Sequence, residues 1–287
     1  MFADGCHCYL RQSVSCHTRA SERTLKSSDV LDEFKHSCGW LLTAYPSDQL
    51  ERALMGLYYS AKSTVIAPRV VDSLLLGNPN EVIAGGKGDD ACFVAESMLR
   101  SVHSMGDLLA QVVNICICES VVPANRVSLP SVIQKLRALA ANPDGGTHQD
   151  FMFRVADSLD VLLESEALIY LTDFTNTVKH REYVERSLIT TATGCSMAFA
   201  AFEKDGRRHE AKAWMDVCVV AESVRDECLC LLKRIEQEKN YELMVTNGGT
   251  LVGSFLSLTA TPSVYTAEQF SGRTLKRLPD DESDCTP

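Results

Sequence analysis

The sequence predicts a mainly α-helical bundle with a small β-hairpin insertion, and three observations support this fold class. Apolar residues recur at steps of three or four through most of the 287 positions, the period of an amphipathic helix. A single stretch rich in β-forming residues, about 186–213, contains the turn signal "KDGR", which is typical of a hairpin of short strands. Segments with glycine, proline and asparagine separate the periodic stretches, as turns do in helical bundles.

The first elements are a flexible segment and two helices. Residues 1–26 are polar, basic and aperiodic, which favours a flexible N-terminal segment. One apolar face repeats over about 28–45, and after the following proline Ser47 is placed to cap a second helix that begins "DQLERALMGLYYSAKS". The glycines and the proline in "GNPNEVIAGGKGDD", 77–90, predict a loop. Residues 27–88 are therefore expected to form an N-terminal helical region.

Residues 89–240 are expected to form the main bundle, with the hairpin inserted at about 186–213. Its first helix, from about Asp89 to Glu119, would be roughly 45 Å long at 1.5 Å per residue and would be a spine of the fold. The later helices are predicted at about 129–141, 148–164, 166–182 and 214–240. The chain then continues in a C-terminal extension, 241–287, which ends in the acidic "PDDESDCTP" and is predicted to be disordered there.

Charge and composition narrow the class of protein. The net charge is −10, so the surface as a whole does not attract phosphate backbones, and contact with nucleic acid would need a local basic patch. No apolar run approaches the roughly 18 residues of a membrane span, and the first residues do not resemble an export signal. These features predict a cytoplasmic protein that does not bind a membrane.

The 12 cysteines predict free thiols instead of a disulfide framework. Several of them lie in apolar helical runs, where cysteine behaves as a small hydrophobic residue, and a reduced compartment follows from the missing export signal. No disulfide is expected among Cys92, Cys116, Cys118, Cys218, Cys228 and Cys230. The spacing of Cys6, His7, Cys8, Cys16 and His17 is poor for a zinc site, so no metal and no other cofactor is expected.

Two polar stripes provide the candidate site. The first recurs at steps of three or four along the long helix, within "LRSVHSMGDLLAQVVN", and comprises Arg100, His103, Asp107, Gln111 and Asn114. The second, within "TDFTNTVKHREY", comprises Asp173, Asn176 or Thr177, and His180. Burying unpaired polar groups would cost on the order of 1–3 kcal/mol each, so the stripes should face each other or a shared cleft. We predict that His103, Asp107 or Asn114 lies within hydrogen-bond reach of Asn176 or His180.

The stripes have two interpretations besides a solvated face. The first is a satisfied hydrogen-bond network that fixes the register of the helices. The second is a site, in which a histidine acts as acid or base near neutral pH, cations stabilise developing negative charge and amides orient a ligand. The catalytic candidates are then His180, Lys179, Asn176, His103 and Asp107. The binding candidates are Arg100, Gln111, Asn114 and Arg181.

The window "TNTVKH" resembles the signature of HEPN-type helical domains, in which an arginine, often followed by a polar residue, precedes a histidine by four to six residues. Asn176 matches the polar position and His180 the histidine, whereas Thr175 stands where the arginine is expected. Together with "LRSVHSMGDLLAQVVN", this window is similar to bacterial helical proteins of HEPN-like type. The resemblance covers roughly 89–240. It implies a dimerising bundle, often in toxin–antitoxin or antiphage systems, whose active members are metal-independent endoribonucleases.

These observations lead to two functional hypotheses. The first is an RNA-directed protein of a bacterial defence or toxin–antitoxin system, a homodimer in which His180 activates a ribose 2′-hydroxyl, while Lys179 and a nearby arginine stabilise the charge on the phosphate. Restoring the signature by Thr175→Arg should then raise a weak activity. The alternative is a non-catalytic helical interaction module, or a nucleotide- or partner-binding protein, whose polar stripes are structural. The basic "GRRHEAK", 206–212, is interpreted as a solvated turn or as a contact for nucleic acid or a protein partner.

Overall fold

Eight helices and five short strands form the part of the chain that the computed structural model describes, residues 27–142, 149–179, 184–191 and 194–246. Helices make up 76% of it. The helices are α1 Ser27–Ala44, α2 Asp48–Leu75, α3 Pro79–Ala84, α4 Lys87–Cys116, α5 Leu129–Ala140, α6 Gln149–Leu163, α7 Glu166–Lys179 and α8 Trp214–Thr246. Within these ranges, none of the helices combines the length and the apolar character needed to cross a membrane. The predicted class, mainly α with a small β insertion, is confirmed.

Capping residues fix the starts of α2 and α5, and the first of them, Ser47, was predicted from the sequence. The Ser47 side chain accepts a hydrogen bond from the Leu50 amide at the start of α2, which satisfies one of the unpaired donors of a helix N-terminus. Ser128 and Ser131 form a reciprocal capping box at the start of α5, and Pro130 lies in its first turn, where proline costs no hydrogen bond. The predicted helix at about 129–141 is thus confirmed by its own end signals.

The region between α2 and α4 differs from the prediction. Helix α2 continues through Pro68 to Leu75, although an internal proline removes one backbone hydrogen bond. The predicted loop at 77–90 is wrong in part, because it contains α3 and the start of α4. Asn78 caps α3 and Pro79 occupies its first turn, so the residues that suggest a loop serve here as helix-start signals.

Helix α4 lies at the centre of the bundle, as expected for its predicted role as a spine. It packs against α2 along most of its length and also against α5, α7 and α8. Leu99, Met105 and Leu109 on this helix are fully buried. The helix ends at Cys116 and not at Glu119, because Glu119 and Ser120 take positive φ angles of 51° and 60° that no helix contains.

The two ends of the described chain meet across the bundle. Helix α1 packs against α8, and the buried Ser37 hydroxyl donates a 2.8 Å hydrogen bond to Glu236 of α8. Lys233 forms an ion pair with Glu33 beside it. Both helices contribute to one hydrophobic core that extends from Val30 to Ile235.

The β insertion consists of two small antiparallel sheets. Strands β1 Arg186–Thr191, β2 Gly194–Phe199 and β5 Lys212–Ala213 form the first, in the order β1-β2-β5. Strands β3 Phe202–Lys204 and β4 Arg207–His209 form the second, with Phe202 opposite His209. Their turn residues Asp205 and Gly206 both have positive φ, 49° and 77°, as a tight type I′ hairpin turn requires. The predicted "KDGR" turn is confirmed.

The cysteines that were expected to be unpaired are free thiols. Cys92, Cys116, Cys118, Cys218, Cys228 and Cys230 are all free, as are Cys38 and Cys195. Burial raises the pKa of the Cys38 and Cys116 thiols to about 12. These thiols are therefore protonated at neutral pH and act as small apolar side chains of the core.

Candidate functional site

Helices α4 and α7 pack against each other, and three of the predicted site residues interact through their charges. His103 is half-buried on α4, with Asp107 exposed one turn further along. Lys179, exposed at the last position of α7, is close enough for its charge to act on the His103 imidazole. We call His103, Asp107 and Lys179 the α4–α7 cluster.

The protonation of His103 follows from this environment. Burial lowers the pKa of the imidazole below its ordinary value of 6.5, the Lys179 charge lowers it further, and the Asp107 carboxylate offsets part of the effect. Burial and a like charge both disfavour the imidazolium ion. His103 is therefore neutral near pH 7, the form that accepts a proton or a hydrogen bond.

Two of the remaining members of the first stripe, Asn114 and Arg100, have partners outside the α4–α7 cluster. The buried Asn114 amide donates a 2.9 Å hydrogen bond to the Val122 carbonyl and accepts a 3.1 Å bond from the Val122 amide. This pair of bonds fixes the loop that follows α4. Arg100 is about half-exposed and forms a 3.7 Å ion pair with Glu96. Gln111 is half-buried on the same helix.

The prediction of a hydrogen bond between the stripes named two possible partners in the second stripe, and only Asn176 lies within the described residues. Asn176 is half-buried on α7, and in the described ranges it has no hydrogen bond to His103, Asp107 or Asn114. The other predicted partner, His180, lies outside the described residues together with Arg181. The described part of the site is therefore the α4–α7 cluster.

Asp173, which the sequence placed in the second stripe, faces the β insertion. Its side chain is only 2% exposed. The Arg207 guanidinium donates two hydrogen bonds to the carboxylate, one from Nε and one from Nη2, both 2.9 Å long. The His209 Nε2 atom lies 2.8 Å from the Asp173 Oδ2 atom. We call Asp173, Arg207 and His209 the Asp173 latch, because these contacts attach the β3–β4 hairpin to α7.

The latch keeps the Asp173 carboxyl ionised in spite of its burial. Burial alone would raise its pKa, but the hydrogen bonds from Arg207 and His209 outweigh that effect, and the net result is a lowered pKa. A buried carboxylate is stable only when such partners compensate for lost hydration. The interpretation of "GRRHEAK" as a simple solvated turn is therefore wrong for two of its residues.

Aromatic rings enclose the latch and fix the orientation of its imidazole. The Phe202 ring stacks on the His209 ring at a centroid distance of 4.7 Å, and the Tyr170 ring meets it edge-on at 5.5 Å. Phe174 packs edge-on against Phe199 at 5.5 Å below them. Burial raises the pKa of the Tyr170 hydroxyl. The hairpin is thus held to α7 by aromatic packing together with the charged pair.

Thr175, at the position of the signature's arginine, lies in the core. It is 1% exposed, and its hydroxyl has no hydrogen-bond partner among the described residues. An arginine at this position would place a guanidinium among apolar side chains, at a large cost in desolvation. The expectation that Thr175→Arg restores activity therefore conflicts with the packing, and unfolding is the result that the structure favours.

An apolar groove between α2 and α4 is a feature that the sequence analysis missed. The groove has a volume of about 530 Å³ and is open to solvent. We call it the α2–α4 groove; it is lined by Tyr59, Lys62, Ser63, Ile66, Ala67, Val70, Phe93, Val94, Ser97, Met98 and Ser101. The exposed fraction is 52% for Tyr59 and 72% for Phe93. The spacing of Tyr59, Ile66 and Val70 on one face of α2 was the available signal.

Metal binding has no support within the described ranges, where no group of three or more His, Cys, Asp or Glu side chains is arranged to hold an ion. The N-terminal residues Cys6, His7, Cys8, Cys16 and His17 lie outside those ranges.

The geometry defines a mainly helical protein with a latched β hairpin, a small His–Lys–Asp cluster and an exposed apolar groove. No family model, no curated protein and no solved structure matches the chain. The HEPN-like character is therefore a prediction that rests on the sequence window around His180.

Proposed function

We propose that this chain is a helical interaction module that binds a protein partner through the α2–α4 groove. The observation that carries this proposal is the exposure of large apolar side chains along one face of two neighbouring helices. Tyr59, Ile66, Val70 and Phe93 are between 38% and 72% exposed. Contiguous apolar surface of this kind is costly in water and marks interaction sites in proteins that fold as monomers.

The use of the polar residues supports the same proposal. Asn114 serves the loop after α4, Asp173 serves the hairpin, and Arg100 is paired with Glu96. Such internally satisfied groups fix the arrangement of helices and strands. The sequence left open the alternative of a non-catalytic interaction module whose polar stripes are structural. Internally satisfied polar groups are expected in such a module.

The test is site-specific crosslinking in cells that produce the full chain. Phe93 is replaced by the photo-crosslinking residue p-benzoylphenylalanine, and Val161, which is 67% exposed on α6, is replaced in a matched control. We expect one protein, identified by mass spectrometry, to be captured from position 93 and not from position 161. Equal capture from both positions, or none from either, would contradict the proposal.

An RNA-directed function is the second candidate, and the α4–α7 cluster favours it. The neutral His103 imidazole and the Lys179 ammonium lie together, and His180 and Arg181 follow directly in the sequence. In this proposal a histidine accepts the proton of a ribose 2′-hydroxyl, whose oxygen attacks the adjacent phosphorus. Lys179 stabilises the charge on the phosphate oxygens, and the histidine returns its proton to the 5′-oxygen as the bond between that oxygen and the phosphorus breaks.

Cleavage of a mixed RNA pool tests this second candidate. If it is correct, His180→Ala should reduce cleavage by about 10²–10⁴-fold, the usual contribution of an acid–base group, and EDTA should have no effect. Circular dichroism on the same preparation shows whether the variant is folded. A folded His180→Ala protein with unchanged cleavage would remove this histidine from the mechanism, and cleavage absent from the native chain would remove the candidate.

A further inference from the structure

We draw no further inference here: the strongest candidate, the apolar pocket of about 390 Å³ that the end of α2, strand β2 and the start of α8 form around the lone thiol of Cys195, carries none, because nothing in the described part of the chain shows what occupies it.

Discussion

The Asp173 latch makes a quantitative prediction for Asp173→Asn, which removes the charge and keeps the size of the side chain. The carboxylate accepts hydrogen bonds of 2.9, 2.9 and 2.8 Å. The Asn carboxamide retains one oxygen acceptor, but its NH₂ group then faces the donors of Arg207 and His209. The Arg207 side chain is 55% exposed, so its guanidinium can form hydrogen bonds with water instead, at little cost in free energy.

The size of the change in unfolding free energy is set by His209, whose imidazole cannot replace the lost hydrogen bond with one to water. Its side chain is 12% exposed and stacked on Phe202. A buried donor without a partner costs about 1–3 kcal/mol. We therefore expect Asp173→Asn to lower the free energy of unfolding by about 2 kcal/mol, and the melting temperature by about 4–8 °C for a folded region of this size.

The assay is thermal unfolding followed by circular dichroism, with hydrogen exchange of β3 and β4 as a local probe. Asp205→Asn is the matched control: it removes an exposed carboxylate from the turn of the same hairpin, and asparagine also tolerates the positive φ of 49° at that position. Equal melting of the two variants, with unchanged exchange in the hairpin, would refute the reasoning.

The same variant predicts a pH dependence. Because the folded pKa of Asp173 is lowered from 3.8, the ionised carboxylate contributes its full stability above pH 3.8 and loses it as the pH falls through the folded value. The difference in unfolding free energy between the native chain and Asp173→Asn should therefore be constant near neutral pH and shrink in acid. A difference that grows below pH 3.8 would show that the sign is wrong.

Three further predictions concern other parts of the molecule. Asn114→Ala should lower the free energy of unfolding by about 2 kcal/mol, because it leaves the backbone of the loop after α4 without two buried partners; urea unfolding measures it. Lys179→Gln should raise the pKa of His103, and Asp107→Asn should lower it, since the two charges act in opposite directions; an NMR titration of the His103 ring measures both. The Cys38 thiol, with a pKa raised to about 12, should not react with a disulfide reagent at pH 8 until the protein unfolds.

Each of these three predictions has a control or an outcome that would contradict it. Gln111→Ala removes a half-buried amide from the same face of α4 and should cost less than Asn114→Ala; an equal cost would remove the special role of the loop contacts. A His103 pKa that moves in the same direction in both charge variants would show that the α4–α7 cluster is not arranged as described. Reaction of Cys38 in the native protein at the rate of the exposed Cys230 would contradict its burial.

The sequence predicts those parts of the fold that depend on local patterns. The period of α4, the Ser47 cap and the Asp205–Gly206 turn are all encoded within a few neighbouring residues, and all three appear as expected. The α3 segment was missed because Asn78 and Pro79 favour both a turn and a helix start. Local patterns do not separate these two outcomes.

The candidate site was predicted less well because its contacts join distant positions. Asp173 was placed toward α4, yet it pairs with residues 34 and 36 positions later in the chain. The signals were present: an aspartate in the apolar "YLTDFT" and two basic residues, Arg207 and His209, on one face of a strand. Their pairing required the geometry of the hairpin on α7. The stripes were expected to face each other, and α4 and α7 are indeed neighbours, but Asn176 has no hydrogen bond to His103, Asp107 or Asn114 among the described residues.

The contact between α1 and α8 has a consequence for folding during synthesis. Ser37 and Glu236 are 199 positions apart, so α1 cannot reach its final partner until nearly the whole described chain has left the ribosome. At about 5–20 residues per second, the side of α1 that packs against α8 waits roughly 10–40 s for that helix. A nascent chain that stalls before Trp214 can already pack α1 against α2, but it leaves the side of α1 that contacts α8 uncovered, and such chains are expected to depend on chaperones or to aggregate.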